Sequence, residues 1–488
     1  MEEEDCMRRE FQKVVKLHPS DTKALIPIPI EIPRGTEALR MRFTYSPMKV
    51  DDLELGRELM RAKIASYAQD CEGDPSIPQA VRALWLDVSQ DVERFLPLRN
   101  LLNFSLYDPK GNFRGRWDSP QYFGKWAEVG PDLSRGFLGG GLEPGEWTLE
   151  LEVHALLSKE VEAVLEIEIE GNEAPRWYAG EMHTHTNHSD GRAPLAEVRK
   201  AMREHGLDFM VLSDHNTIAA HRDIPRENFN PLVIPGLEWT TFHGHAVAVG
   251  VSTYIDWRAR RTDPLSDKIA AVHEQGGLVS IAHPFTVGDP FCTGCEWEYD
   301  NADPAEVDLL EIWSGSWQNH AIPNWRAITW WDELLNKGLR ITGVAARDLH
   351  RLEQLDEPDT ANTYVYAWAC SAAEILAALK RGAVQVSVGP LADLKVTTPR
   401  GGVYSIGDSV PLYEGENREL SVSVSGLEGD GFELRVVANG EAIHRVRGYR
   451  GEETSFALSG HIDWVRVQVQ RATPDETPVL ITNPIYFG

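Results

Sequence analysis

Between residues 176 and 390 short apolar stretches alternate with amphipathic ones, and almost every apolar stretch runs into a histidine or a carboxylate. That alternation constrains the fold more than any other feature of the chain. Strands are expected near Gly180–Thr184, Phe209–Ser213, Leu232–Glu238, Ala246–Val251, Leu278–Ala282, Leu309–Trp313, Ile341–Ala345 and Val384–Val388. Helices are expected near Leu195–His205, Leu265–Gln275, Trp330–Asn336 and Ala372–Lys380. Gly206, Gly276, Gly338 and Gly382 each stand just past a helix, where a left-handed cap is wanted. Such alternation implies a mainly parallel sheet, open or closed into a barrel, with its site at the strand carboxyl ends.

Of the 16 histidines, 12 lie between His183 and His350. The first strand ends in His183-Thr-His185, followed by Asn187-His-Ser-Asp190-Gly191. Two histidines at i and i+2 of a strand share a face, so both can bind one ion. The second strand ends in Ser213-Asp214-His215, the third in Gly-Leu-Glu238, and the fourth is entered through His243-Gly-His245. The fifth ends in Ala282-His283-Pro284, and Arg347-Asp348-Leu-His350 follows the Ile341 strand. Imidazole and carboxylate are the ligand types of zinc, manganese and iron. His183, His185, His215 and His283 are the firmest candidates because four strand ends coincide, and His245 is preferred to His243. His188, His205, His221, His273 and His320 read as ordinary surface or core residues. Asp214 is either a ligand or a partner that orients an imidazole.

Around this segment the pattern changes. Residues 1–175 read as mostly β, a sandwich with a helical addition whose apolar spacing runs from Asp51 to Ala68. Residues 391–488 alternate with period two, as in Leu420-Ser-Val-Ser-Val-Ser, and carry the hairpin signal Asn439-Gly440, so a second small β-sandwich is expected there. Lys and Arg number 48 against 75 Asp and Glu, a net charge of −27 that opposes broad nucleic-acid or anionic-membrane binding. No stretch approaches the ~20 apolar residues of a spanning helix. The start, MEEEDCMRRE, is acidic where a signal peptide is basic and then apolar, and five cysteines are too few for a disulfide framework. A cytoplasmic location is therefore expected. Cys292 and Cys295 form a C-x-x-C with no second pair at zinc-ribbon spacing, and read as loop rather than as a redox or zinc site.

Taken together, His183-x-His185 with Ser189-Asp190-Gly191, Ser-Asp214-His215, Gly-Leu-Glu238, Gly-His245, Ala-His283-Pro284 and Asp348-x-His350 resemble the PHP (polymerase and histidinol phosphatase) superfamily. The flanking β regions and the closing Thr482-Asn-Pro-Ile-Tyr resemble its carbaryl-hydrolase-like branch. The resemblance implies an α/β fold, a distorted seven-stranded (β/α) PHP barrel at 176–390, between the N-terminal and C-terminal β-sandwich domains. It also implies two or three divalent transition metal ions (zinc, manganese or iron). His183, His185, Glu238 and Asp348 would hold the first. Glu238 would bridge to a second, completed by His245 and His283. Asp190, His215 and His350 would hold a third. Two features depart from the family pattern: Arg347 precedes Asp348 where a small Gly-Ser is usual, and Asp190 stands where many relatives have His.

Three divalent ions against the carboxylates Asp190, Glu238 and Asp348 leave about three positive charges uncompensated, which hydroxide and an anionic or polarised substrate would offset. Two ions ~3.5–4 Å apart can share a water and lower its pKa toward ~7. The expected function is therefore a metal-dependent hydrolase of a phosphoester, in which Glu238, Asp348 and Asp214 are the catalytic carboxylates. Arg192 and Arg347 adjoin ligands and are candidate clamps for an anionic group. Trp313 and Trp317 are candidate walls of the substrate pocket, whereas Trp330 and Trp331 are read as core at the start of a helix. An aromatic wall would favour a small organic substrate, so hydrolysis of a carboxylic ester, carbamate or amide is the alternative. A non-catalytic binding or assembly protein with a relic site is a third reading, opposed by the complete ligand set.

Overall fold

In the computed structural model, residues 6–89, 91–118, 123–225, 229–412, 417–429 and 431–488 are described. They divide into two compact units, residues 1–173 and 174–488. The first unit contains two four-stranded antiparallel sheets, with Leu53–Asp70 and Gln79–Ser89 as helices between strands. Alternation explains the layering. Leu39, Met41 and Phe43 of one sheet share a core with Phe104, Leu149 and Leu151 of the other, while the arginines and glutamates between them face outward.

In the second unit the strands Arg176–Thr184, Phe209–Leu212 and Leu232–Thr241 pair in parallel. Gly244–Val249 turns back antiparallel, and Leu278–Ile281, Leu309–Ser314 and Thr342–Ala346 are again parallel to one another. Helices Leu195–Glu204, Ser266–His273, Trp317–Asn336 and Ala372–Arg381 pack on this sheet. The four glycines past them have φ between +71° and +82°. The third helix begins at Trp317, earlier than its expected start at Trp330, because two helical turns merge across a kink at His320 ahead of Pro323. An unforeseen antiparallel strand, Asn362–Ala367, lies between Arg176–Thr184 and Val384–Ser387.

The expected barrel is not closed by strand pairing: the hydrogen-bonded path ends at Thr342–Ala346. A single parallel backbone bridge, Thr184 to Leu349, and side chains take the place of the missing pairing. The Thr363 hydroxyl donates to the Ala345 carbonyl and accepts from its N–H, each at 2.8 Å. The Asn483 amide bonds both the N–H and the carbonyl of Gly343, also at 2.8 Å. A buried edge whose backbone groups are already satisfied has no need of a neighbouring strand. At the other end the same sheet continues through Pro478–Thr482 and Trp464–Arg471 to Phe432–Ala438 and Glu441–Tyr449. Those strands share an apolar core with a separate four-stranded sheet that includes Leu391–Thr397 and Arg418–Ser425. No helix among the described residues is long and apolar enough to cross a membrane.

Candidate metal centre

The ends of the parallel strands bring nine side chains to one place. His183 and His185 are 0% and 1% exposed, and Glu238 is 0% exposed. Oε1 of Glu238 lies 3.3 Å from Nε2 of His183, 3.1 Å from Nδ1 of His245 and 3.5 Å from Nε2 of His283. Its Oε2 lies 2.5 Å from Nδ1 of His215 and 3.7 Å from Nε2 of His185. Oδ1 of Asp348 approaches Nε2 of His185 at 3.0 Å and Nε2 of His183 at 3.4 Å. Oδ1 of Asp190 lies 3.2 Å from Nε2 of both His215 and His350. The backbone of Asp348 (φ +52°) and of His283 (φ +27°) is left-handed, a conformation that costs energy for residues with a Cβ and persists where surrounding contacts fix it.

These donors form overlapping groups whose ligand atoms lie within 4.8 Å of one another: His183, His185 and Asp348; His183, Glu238 and His283; His185, Asp190, His215 and His350; and His245, His283 and Cys295. Electrostatics fits the same picture. Burial opposes charge on Glu238, but His183, His215 and His245 outweigh it and hold the carboxyl well below its ordinary range. Asp348 is depressed in the same way, burial being overcome by His183, His185 and His283. Burial disfavours a charged His283, yet the neighbouring carboxylates of Glu238, Asp348 and Glu311 hold its pKa up at about 9.

A metal ion fits this donor set. Nε2 of His183, Nδ1 of His185, Oε1 of Glu238, Nδ1 of His245 and Nδ1 of His283 are buried and have no hydrogen-bond partner. Leaving buried donors and acceptors unpaired costs ~1–3 kcal/mol each, so such a cluster requires a compensating ligand.

Other expected residues sit differently. Both oxygens of Asp214 are occupied: Thr186 N–H and the Ser189 hydroxyl donate to Oδ1 at 2.8 and 2.7 Å, and the Thr186 hydroxyl donates to Oδ2 at 2.8 Å. It therefore shapes the loop after His185. Arg347 is buried in an ion pair, Nη1 to Glu181 Oε2 at 2.7 Å, with its guanidinium turned into the core. Trp313 and Trp317 are 0% and 3% exposed and meet edge to face in the core, so neither walls an open pocket. Arg192 is exposed, and its N–H donates to the His350 carbonyl at 2.9 Å. His188, His205 and His273 pair with Asp223, Asp356 and Asp308.

Glu311, Glu181 and Cys295 were not foreseen. Glu311 Oε1 accepts from Nδ1 of His183, and Oε2 accepts from His283 N–H, each at 2.8 Å. The signal was there: a glutamate in the apolar run Leu-Leu-Glu-Ile-Trp, on a strand buried throughout, must have a polar partner. Cys292 and Cys295, expected as plain loop, are joined as a disulfide.

No protein-family model and no curated protein matches the chain. Among solved structures, it is similar to a two-domain protein of Bacteroides vulgatus named for a PHP-like metal-dependent phosphoesterase. They are 17% identical, the match covers 64% of this chain and 96% of the other, and the TM-score is 0.36. A protein of Bifidobacterium adolescentis named as a metal-dependent phosphoesterase is 16% identical over 38% of this chain and 91% of its own, with a TM-score of 0.28. An amidohydrolase from Chromobacterium violaceum is 12% identical over 37% and 89%, with a TM-score of 0.25. At such distance the chemistry has to come from the donors themselves.

Proposed function

We propose that the chain is a metal-dependent hydrolase of PHP type that cleaves a phosphoester of a small molecule. The observation that carries this reading is the buried group of imidazoles and carboxylates around Glu238, five of whose polar atoms have no hydrogen-bond partner. His183, His185, Asp190, His215, Glu238, His245, His283, Asp348 and His350 would hold two or three ions of zinc, manganese or iron. Bound there, the ions would supply water of lowered pKa and polarise the scissile group.

The chain's own residues do the rest. Glu311 accepts the hydrogen bond of Nδ1–H of His183 and so keeps Nε2 turned to the centre. Asp214 fixes the Thr186–Ser189 loop that carries Asp190. Arg192, exposed beside His350, meets the anionic part of the substrate. Burial of Trp313 and Trp317 removes the clue that pointed to an aryl ester or carbamate, whereas the positive charge of a loaded site still favours a phosphoester. Within this reading the chain belongs to the carbaryl-hydrolase-like branch, which the flanking β regions and the closing Thr482-Asn-Pro-Ile-Tyr resemble, in three parts, 1–175, 176–390 and 391–488, working in the cytoplasm.

The test is elemental analysis of protein purified without added metal, followed by a panel of phosphomonoesters, phosphodiesters, aryl esters and carbamates. Two or three transition ions per chain and phosphoester turnover abolished by chelation are expected. Turnover of aryl esters with no phosphoesterase activity would reverse the order of substrates. Less than one ion per chain, with no uptake of zinc, manganese or iron, would overturn the reading.

A further inference from the structure

The loop after His283 brings a second kind of donor to the centre. Phe285 bridges to Glu296, Trp297 N–H donates to the Pro284 carbonyl at 2.9 Å, and Glu298 N–H donates to the His243 carbonyl at 2.8 Å. The loop is thus tied to both strands that deliver His283 and His245. Its tip rests on the hairpin before His245: a Cβ on Gly294 (φ +73°) would stand 1.9 Å from the Thr241 carbonyl oxygen, so only glycine lets the chain between the cysteines come so close. The Thr293 carbonyl accepts from Nε2 of His245 at 3.3 Å, which leaves Nδ1 of that ring bare.

The two cysteines are not equivalent. Cys295 is 4% exposed and turned inward, and its sulfur lies with ligand atoms of His245 and His283 within a 4.8 Å span. Cys292 is half-buried. The Nδ1 atoms of His245 and His283, on rings 4% and 5% exposed, have no hydrogen-bond partner. Glu238 Oε1 stands 3.1 Å from one of these rings and 3.5 Å from the other. Two imidazoles, a sulfur and a carboxylate are a zinc-type donor set.

We infer that Cys295 is a redox-gated zinc ligand, released by reduction of its bond to Cys292 to join His245 and His283. This rests on the metal-centre reading above. The chemistry balances with a dithiol as reductant. Its thiolate attacks the sulfur of Cys292, the less buried of the two residues, the Cys292–Cys295 bond breaks, and Cys295 leaves as a thiolate. The second thiol of the reductant then displaces Cys292, which takes a proton, and the reductant becomes a disulfide. The thiolate of Cys295 binds zinc without its proton, so no further oxidant or reductant is needed. In the reverse exchange a disulfide oxidant takes up the two electrons and leaves as its dithiol, the Cys292–Cys295 bond re-forms, and the loss of the sulfur weakens this position while the His183, His185 and Asp348 group stays as it was.

The experiment compares full-length protein in four forms: oxidised wild type, wild type reduced by a phosphine that is then removed, Cys292→Ser, and Cys295→Ser. Each is stripped by a chelator and titrated anaerobically with zinc, and in parallel with cobalt(II). Reduced wild type and Cys292→Ser are expected to take up about one zinc ion more per chain than the other two, and to show a near-ultraviolet thiolate-to-cobalt absorption. The wild-type pair needs no substitution, so a variant that fails to fold does not decide the matter. Equal zinc uptake with no thiolate band in any form would overturn this inference alone, as would a thiolate band in Cys295→Ser. No metal uptake by any form would overturn the metal-centre reading with it.

Discussion

Nδ1 of His183 and Oε1 of Glu311 are 2.8 Å apart in a place closed to water, the two residues being 0% and 1% exposed. The carboxylate fixes the tautomer and the ring plane of the imidazole, and it raises the basicity of Nε2. Its other oxygen holds the backbone N–H of His283, so one side chain positions two strand ends.

Glu311→Ala is therefore expected to weaken metal binding by about 10–100-fold, measured by competition with a chromogenic chelator. Glu311→Gln can accept from only one of the two donors and should fall between Ala and wild type. Wild-type affinity in Glu311→Ala would show that His183 holds its orientation without help.

Glu238 and His350 offer a sharper comparison. The oxygens of Glu238 approach five imidazoles, whereas the nitrogens of His350 approach, among the described carboxylates, only Asp190 and Asp348. Glu238→Gln should thus lose more bound metal and more activity than His350→Ala. Equal losses at unchanged metal content, read by elemental analysis beside the rate, would contradict the bridging role.

Arg347 illustrates how a residue beside a ligand can serve the fold. Its ion pair with Glu181 is 2.7 Å long, and the two residues are 7% and 1% exposed. Glu181 also accepts from the backbone N–H of His183 and Arg347, so the pair ties the first strand to the loop that carries Asp348. Removing one charge strands the other: Arg347→Met should cost about 3–5 kcal/mol in urea unfolding, and Glu181→Gln added to it should recover part of that loss. A single variant within about 0.5 kcal/mol of wild type would mean that the pair is not what joins these segments.

What the sequence made legible follows from which interactions are local. The i, i+2 spacing of His183 and His185, the helix-ending glycines and the strand-end positions of Glu238 and His283 are properties of short segments, and the structure gathers those residues. What stayed hidden depends on partners far away in the chain. Trp313 and Trp317 look like loop residues until the helix Trp317–Asn336 starts early and buries them. Arg347 looks free until Glu181, 166 residues earlier, is brought to it. Beside the single Thr184–Leu349 bridge, the open edge of the sheet is capped by Thr363 and Asn483, and no period in the sequence announces a side chain standing in for a strand.

Stability of the metal-free protein should depend on pH in a way that the loaded protein does not. Burial works against charge on His283, but its carboxylate neighbours hold the folded pKa at about 9 against an ordinary value of 6.5. A proton held more tightly in the folded state stabilises it fully below pH 6.5, and that contribution is lost as pH rises to about 9. His183 and His215 are raised as well; His185 is lowered and runs the other way. Asp348 and Glu238, both depressed, contribute above their ordinary values of 3.8 and 4.5 and lose that contribution only in stronger acid. The chelator-treated protein is therefore expected to lose on the order of a few kcal/mol between pH 6.5 and about 9. Bound metal replaces those protons, so the loaded protein should lack this decline and bind its metal more tightly as pH rises. Urea unfolding of both forms at the two ends of that window provides the measurement. Parallel declines, or no decline in the metal-free form, would show that the imidazoles do not carry the charge assigned to them here.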